Sequence, residues 1–272
     1  IDVSIDKLTV ETGATLQSLP NAQLTMLNGA SGADLVLNGT ATYIDRSNSA
    51  NSITFNAGAS WQMSSTSTFI KTNSSSAADL RDNYETGIAN IPAGASWIYR
   101  YNADGNPAVT TVGMYYPNLY FESTSGNYSW NGFTTALTGG SGGFATINGN
   151  LYIGTTGTGT VLVCNNNINS QPMLVKGNVE IAAGSTLTNV SYDGAIDTDH
   201  GNGTGLEVKG HLTVDGTFIN NGGTAQTGNL VFSGNNYQYL QGILAGVLQL
   251  EDVIINTTGG IATITVNKTI TI

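Results

Sequence analysis

Short apolar runs with a period of two recur along the chain. Leu8-Thr9-Val10, Ile53-Thr54-Phe55, Val179-Glu180-Ile181 and Leu212-Thr213-Val214 each place apolar residues at alternate positions. That spacing gives a strand one apolar face. Several runs continue into one phrase: a short step, a glycine, two small residues and a further apolar residue. It reads Leu8 to Leu16 through Gly13, Ile53 to Trp61 through Gly58, Ala89 to Trp97 through Gly94, and Val179 to Leu187 through Gly184. Leu212 to Phe218 through Gly216 is a shorter variant. A second phrase precedes some of these strands: Asn148-Gly149-Asn150-Leu151, Lys176-Gly177-Asn178-Val179 and Lys209-Gly210-His211-Leu212, separated by 28 and 33 residues.

Strands this short, joined by glycine bends, fit neither a helical bundle nor a doubly wound sheet. They predict an all-β fold, a right-handed parallel β-helix (solenoid) with loop insertions, each strand pairing with those of the coils above and below. A β-sandwich repeat array is the alternative. At roughly 18 to 25 residues per coil the chain would make about eleven to fourteen coils. Residues 1–272 read as a single elongated domain, with excursions near 64–90, 99–143 and 191–205. The first of these carries Asp79, Arg81, Asp82 and Glu85 and has room for one helical turn. The chain starts at Ile1 without a leader pattern and ends within a strand pattern. It is therefore expected to be a fragment of a larger repeat protein.

Three segments carry a resemblance: Thr111 to Phe121 with Tyr116-Pro117-Asn118-Leu119, Leu230 to Leu240, and Leu250 to Gly260 with Glu251 to Asn256. They resemble recurring units of the very large cell-surface proteins of Bacteroidetes, including gliding-motility-type adhesins exported by type IX secretion. The motifs are short and degenerate. The resemblance implies a secreted, surface-exposed β-helical segment on the exterior of the outer membrane. It also implies a role in attachment or gliding, self-association or membership of a larger cell-surface assembly.

Composition narrows the chemistry. Only 10 % of residues are charged, with 8 Lys+Arg against 18 Asp+Glu and a net charge of −10. Typical domains carry about 25 % charged residues. The balance excludes a nucleic-acid partner, which needs a basic footprint. No apolar run is long enough for a transmembrane helix. The single cysteine, Cys164, cannot form an internal disulfide. The scattered basic residues and the lack of a nucleophile motif argue against an enzyme. A polysaccharide-binding or polysaccharide-degrading β-helix is the alternative reading.

Two clusters remain. Trp97, Tyr99 and Tyr101 alternate on one strand face, with Trp130 further along the aromatic-rich stretch. Exposed, they would stack on the apolar faces of sugar rings and bind an extracellular glycan or a solid surface; buried, they would fill the interior. Asp193, Asp197 and Asp199 lie beside His200 in a glycine-rich loop and offer oxygens to a structural Ca²⁺. They lack the spacing of a calcium loop, and no other cofactor is expected. Lys176 and Lys209 fall at equivalent positions and read as one ladder. His211 stands where its sister phrases have Asn, which marks a turn position rather than a ligand. Thr155 to Thr160 alternates Thr and Gly, a weaker hint of an ice- or mineral-binding face.

Overall fold

The glycine corner closes on the same hydrogen bond at each full-length occurrence. In the computed structural model the residue after the glycine donates its N–H to the carbonyl three residues earlier. The pairs are Ala14 to Glu11 at 2.9 Å, Ala59 to Asn56 at 2.8 Å, Ala95 to Pro92 at 3.0 Å and Ser185 to Ala182 at 3.0 Å. Gly13, Gly58 and Gly184 have φ of 79°, 86° and 80°. A turn of this kind requires such a left-handed φ at its third position, where a side chain is strained. The structure describes residues 2–29, 31–46, 53–72, 78–102, 107, 114–131, 146–166, 173–190, 204–220, 229–242, 247–249, 252–255 and 265–266.

Among these residues the protein is all-β, with parallel strands in five sheets and almost no helix. The chain visits the sheets in cyclic order. Val3–Ile5, Leu8–Val10 and Thr15–Gln17 begin three sheets. Leu24–Met26, Leu35–Leu37 and Thr42–Asp45 pair with them in that order, and Ile53–Phe55, Trp61–Met63 and Thr68–Lys71 follow. A helical turn at Ala78–Asp82 and a 3-10 turn at Ile88–Asn90 then interrupt the order. The third sheet alone runs on through Ser96–Tyr101. From Tyr115–Tyr116 the cycle resumes between a six-stranded sheet, this same long sheet and a five-stranded sheet. Tyr115–Tyr116, Asn118–Ser123 and Tyr128–Asn131 are thus followed by Thr146–Ile147, Leu151–Gly157 and Val161–Asn166, each on its counterpart.

The long sheet has ten strands, ending at Thr265–Val266. Its registers pair Trp97 with Leu119 and Val179 with Leu212, so a round of the chain takes from 22 to 33 residues. Rounds are longer, and fewer, than the phrases predicted. The reason is that the corner phrase does not mark one fixed place. Gly13 leads into the long sheet, Gly58 joins the two three-stranded sheets, and Gly184 leads out of the long sheet. Two expected excursions also contain regular strands: Thr68–Lys71 lies within 64–90, and Asn118–Ser123 within 99–143.

One row of inward side chains runs the length of the long sheet: Leu16, Tyr43, Phe69, Trp97, Leu119, Leu151, Val179, Leu212 and Leu240. All but Leu16 are buried. Tyr43 stacks on Phe69 at 5.2 Å between centroids, and Phe69 lies 4.4 Å from Trp97. In-register parallel pairing brings like side chains into contact, so apolar area is buried along the stack as well as across it. The neighbouring inward row, two residues along each strand, holds a surprise for the interior: Asp45 and Lys71, ion-paired at 3.6 Å and each 1 % exposed. Burial pushes the Lys71 ammonium down to about 8, against the opposing pull of Asp45. No helix among the described residues is long and apolar enough to cross a membrane.

Candidate functional site

Strand alternation explains where the expected aromatic face went. Trp97 and Tyr99 do share a face, but it is the inner one, and both are 0 % exposed. Trp97 packs edge-on to Tyr116 at 5.6 Å, and the Tyr99 and Tyr116 hydroxyls hydrogen-bond at 2.9 Å. Burial pushes the Tyr116 phenol well above its ordinary value, with Tyr99 adding to the effect. Rings enclosed in this way cannot stack on a sugar, and the expectation is corrected for both. Tyr101, near the end of the same strand, is half-buried and stacked on Tyr128 at 4.2 Å. Trp130 belongs to the strand Tyr128–Asn131; its side chain lies outside the described residues. Asp193, Asp197 and Asp199 also lie outside them. Among the described residues no three His, Cys, Asp or Glu side chains gather as a metal would require.

The second sequence phrase builds a ladder on the outer side of the long sheet. Leu151, Val179 and Leu212 are in register, which stacks the residues just before them. Each of those side chains accepts the N–H of its successor. Asn118 Oδ1 accepts from Asn150 at 2.8 Å, Asn150 Oδ1 from Asn178 at 2.7 Å, and Asn178 Oδ1 from His211 at 2.9 Å. His211 Nδ1 then accepts from Tyr239 at 3.1 Å. The glycines in the phrase stack as well: Gly177 donates to Gly149 O and Gly210 to Gly177 O, each at 2.9 Å. Lys176 caps the same corner, its Nζ donating to Asn148 Oδ1 at 2.9 Å.

At the next level the phrase is broken by an insertion, and aromatic rings come to the surface. Ser233 to Tyr239 loops outward. Gln238 is fully buried beneath it. Its amide donates to Val208 O at 3.0 Å and Gly210 O at 2.7 Å, and its Oε1 accepts the Gly234 N–H at 3.0 Å. The flanking residues point the other way, so Tyr237 is 45 % and Tyr239 38 % exposed. Their rings meet edge to face at 4.7 Å, and His211 lies 4.7 Å from Tyr239. Exposed Lys209 precedes His211 by two residues. Beside the rings, Gln241 Nε2 donates to Thr213 Oγ1 at 3.2 Å.

This corner is a rigid aromatic shelf with hydrogen-bonding groups at its margin, a surface suited to holding a ligand. The basic groups elsewhere serve the scaffold. Arg100 and Thr156 both bond the buried Glu122 carboxylate, and Arg81 pairs with Asp82. Sequence reasoning missed the corner. The available signal was the Tyr237-Gln238-Tyr239 alternation at the point where the Asn-Gly phrase should have returned.

No family model, no curated protein and no solved structure matches the chain.

Proposed function

We propose that the chain is a right-handed parallel β-helix that serves as a non-catalytic attachment segment of a secreted bacterial cell-surface protein. The observation that carries the reading is the cyclic visiting of three sheets with in-register stacking from round to round. A parallel strand–crossover–strand connection is right-handed in about 98 % of cases, which gives the handedness. Parallel pairing throughout the sheets weighs against the sandwich alternative, whose sheets are antiparallel. At about 4.8 Å per strand, ten strands make a stiff stack about 45 Å long. Function then resides in what the outer surface presents, and the aromatic corner is the part of it suited to contact. The gliding-type, surface-exposed setting rests on the sequence resemblance of the Tyr116-Pro117-Asn118-Leu119 and Leu230–Leu240 segments.

The test is retention of the purified chain on immobilised polysaccharides and bare mineral or polymer surfaces, with soluble products assayed in parallel. Retention with no new reducing ends or unsaturated sugars is expected. Release of such products would replace the attachment reading with an enzymatic one, and an experimental structure with left-handed winding would overturn the fold.

A further inference from the structure

We propose that the Tyr237–Tyr239 corner is a subsite for an acidic pyranose, a sugar ring bearing a carboxylate such as a uronic acid within a polysaccharide. The proposal rests on the attachment reading above and names the ligand class of its contact surface.

The ring geometry supplies the first argument. Two exposed tyrosines meet at 4.7 Å and 68°, which makes a notch with one ring face and one ring edge. A pyranose has an apolar C–H face that fits an aromatic face and equatorial hydroxyls that meet polar groups at the rim. Those groups are present here: the two phenols, Thr213 and Gln241.

Rigidity is the second argument. Exposed aromatic side chains on a mobile loop would lose entropy on binding. Here Gln238 is held by three hydrogen bonds between the two tyrosines, and the Tyr239 amide is tied to His211. The backbone on both sides of the notch is fixed before any ligand arrives.

Charge is the third. The chain has 8 basic residues against 18 acidic ones, yet Lys176 and Lys209 fall at the same corner in successive rounds, both exposed. Gly234, which opens the tyrosine loop, sits directly on the Lys209 carbonyl. A carboxylate on the bound ring has a cation beside it in an otherwise acidic protein. Single-stranded nucleic acid also stacks on aromatics but draws its affinity from many phosphate contacts along a basic track. Two lysines do not make one, and the sugar is favoured.

The test is isothermal titration of the whole chain with an α-1,4-linked galacturonate hexamer, a neutral glucose hexamer and a single-stranded oligonucleotide. Binding of the galacturonate hexamer is expected, at least tenfold tighter than either of the others. Tyr237→Ala and Tyr239→Ala should each weaken it at least tenfold, and Lys209→Gln should erase the preference over the neutral hexamer. A readout that needs no variant is saturation transfer from aromatic protons to the sugar C–H protons. Unchanged binding in the tyrosine variants, no preference for the acidic hexamer, or no transfer would overturn the proposal. Surface retention that survives in both tyrosine variants would sink this subsite and leave the attachment reading standing. Loss of all retention in the unaltered chain would sink both.

Discussion

His211 Nδ1 accepts the backbone N–H of Tyr239 at 3.1 Å, where Asn118, Asn150 and Asn178 offer a side-chain carbonyl to their successors. A histidine thus continues an asparagine ladder, because a neutral imidazole nitrogen and an amide oxygen are both acceptors at a similar reach. His211→Asn should leave the unfolding midpoint in denaturant nearly unchanged. His211→Leu leaves the Tyr239 amide without its acceptor and should cost about 1 kcal/mol. Equal midpoints for the Asn and Leu variants would show that the bond contributes nothing.

Gly210 tests the closeness of the stack. A Cβ there would lie 2.5 Å from the Gly177 carbonyl oxygen, backbone that cannot move without breaking the Gly210-to-Gly177 bond. Gly210→Ala should destabilise by about 1–3 kcal/mol, the range for overpacking. Gly13→Ala meets nothing within 4 Å and is strained only through its φ of 79°, so it should cost about 1 kcal/mol. Urea denaturation of the two variants side by side separates the two causes.

The interior ion pair should behave as a unit. Lys71→Met leaves Asp45 charged and enclosed, and such a break costs about 3–5 kcal/mol. The double change Lys71→Met with Asp45→Leu removes both charges and should recover most of that loss. A double variant no more stable than the single one would contradict this reading, as would a single variant of native stability.

The same pair sets a pH dependence. The Lys71 value, lowered to about 8 by burial, lies below its unfolded value of 10.5. Between those pH values the unfolded chain binds more protons, so stability rises with pH across that window. Tyr43 and Tyr116 work the other way: burial raises both phenols above 10.0, so stability falls once unfolded tyrosines ionise. Chemical denaturation across alkaline pH should show a gain above pH 8 that reverses above about pH 10. In Lys71→Met with Asp45→Leu the gain should vanish and the fall remain.

The corner turns were legible because their chemistry is local: a glycine in the third position and a bond spanning three residues. The Asn-Gly phrase was legible too, since parallel in-register stacking repeats the same environment at each round. The sugar-stacking reading of Trp97 and Tyr99 failed for a physical reason. A period of two divides a strand into two sets of side chains but does not say which set faces in.

By itself, then, the sequence determined short strands, their glycine corners and the stacking of Leu151, Val179 and Leu212. Each follows from alternation, φ preference or repetition within a few residues. Only the tertiary structure decided that Trp97 faces inward while Tyr237 and Tyr239 face out. The same is true of the pairing of Asp45 with Lys71 and of the different places in the cycle at which Gly13, Gly58 and Gly184 turn the chain. Those outcomes depend on which strands meet across one round, 22 to 33 residues apart in the long sheet, and local patterns carry no record of that distance.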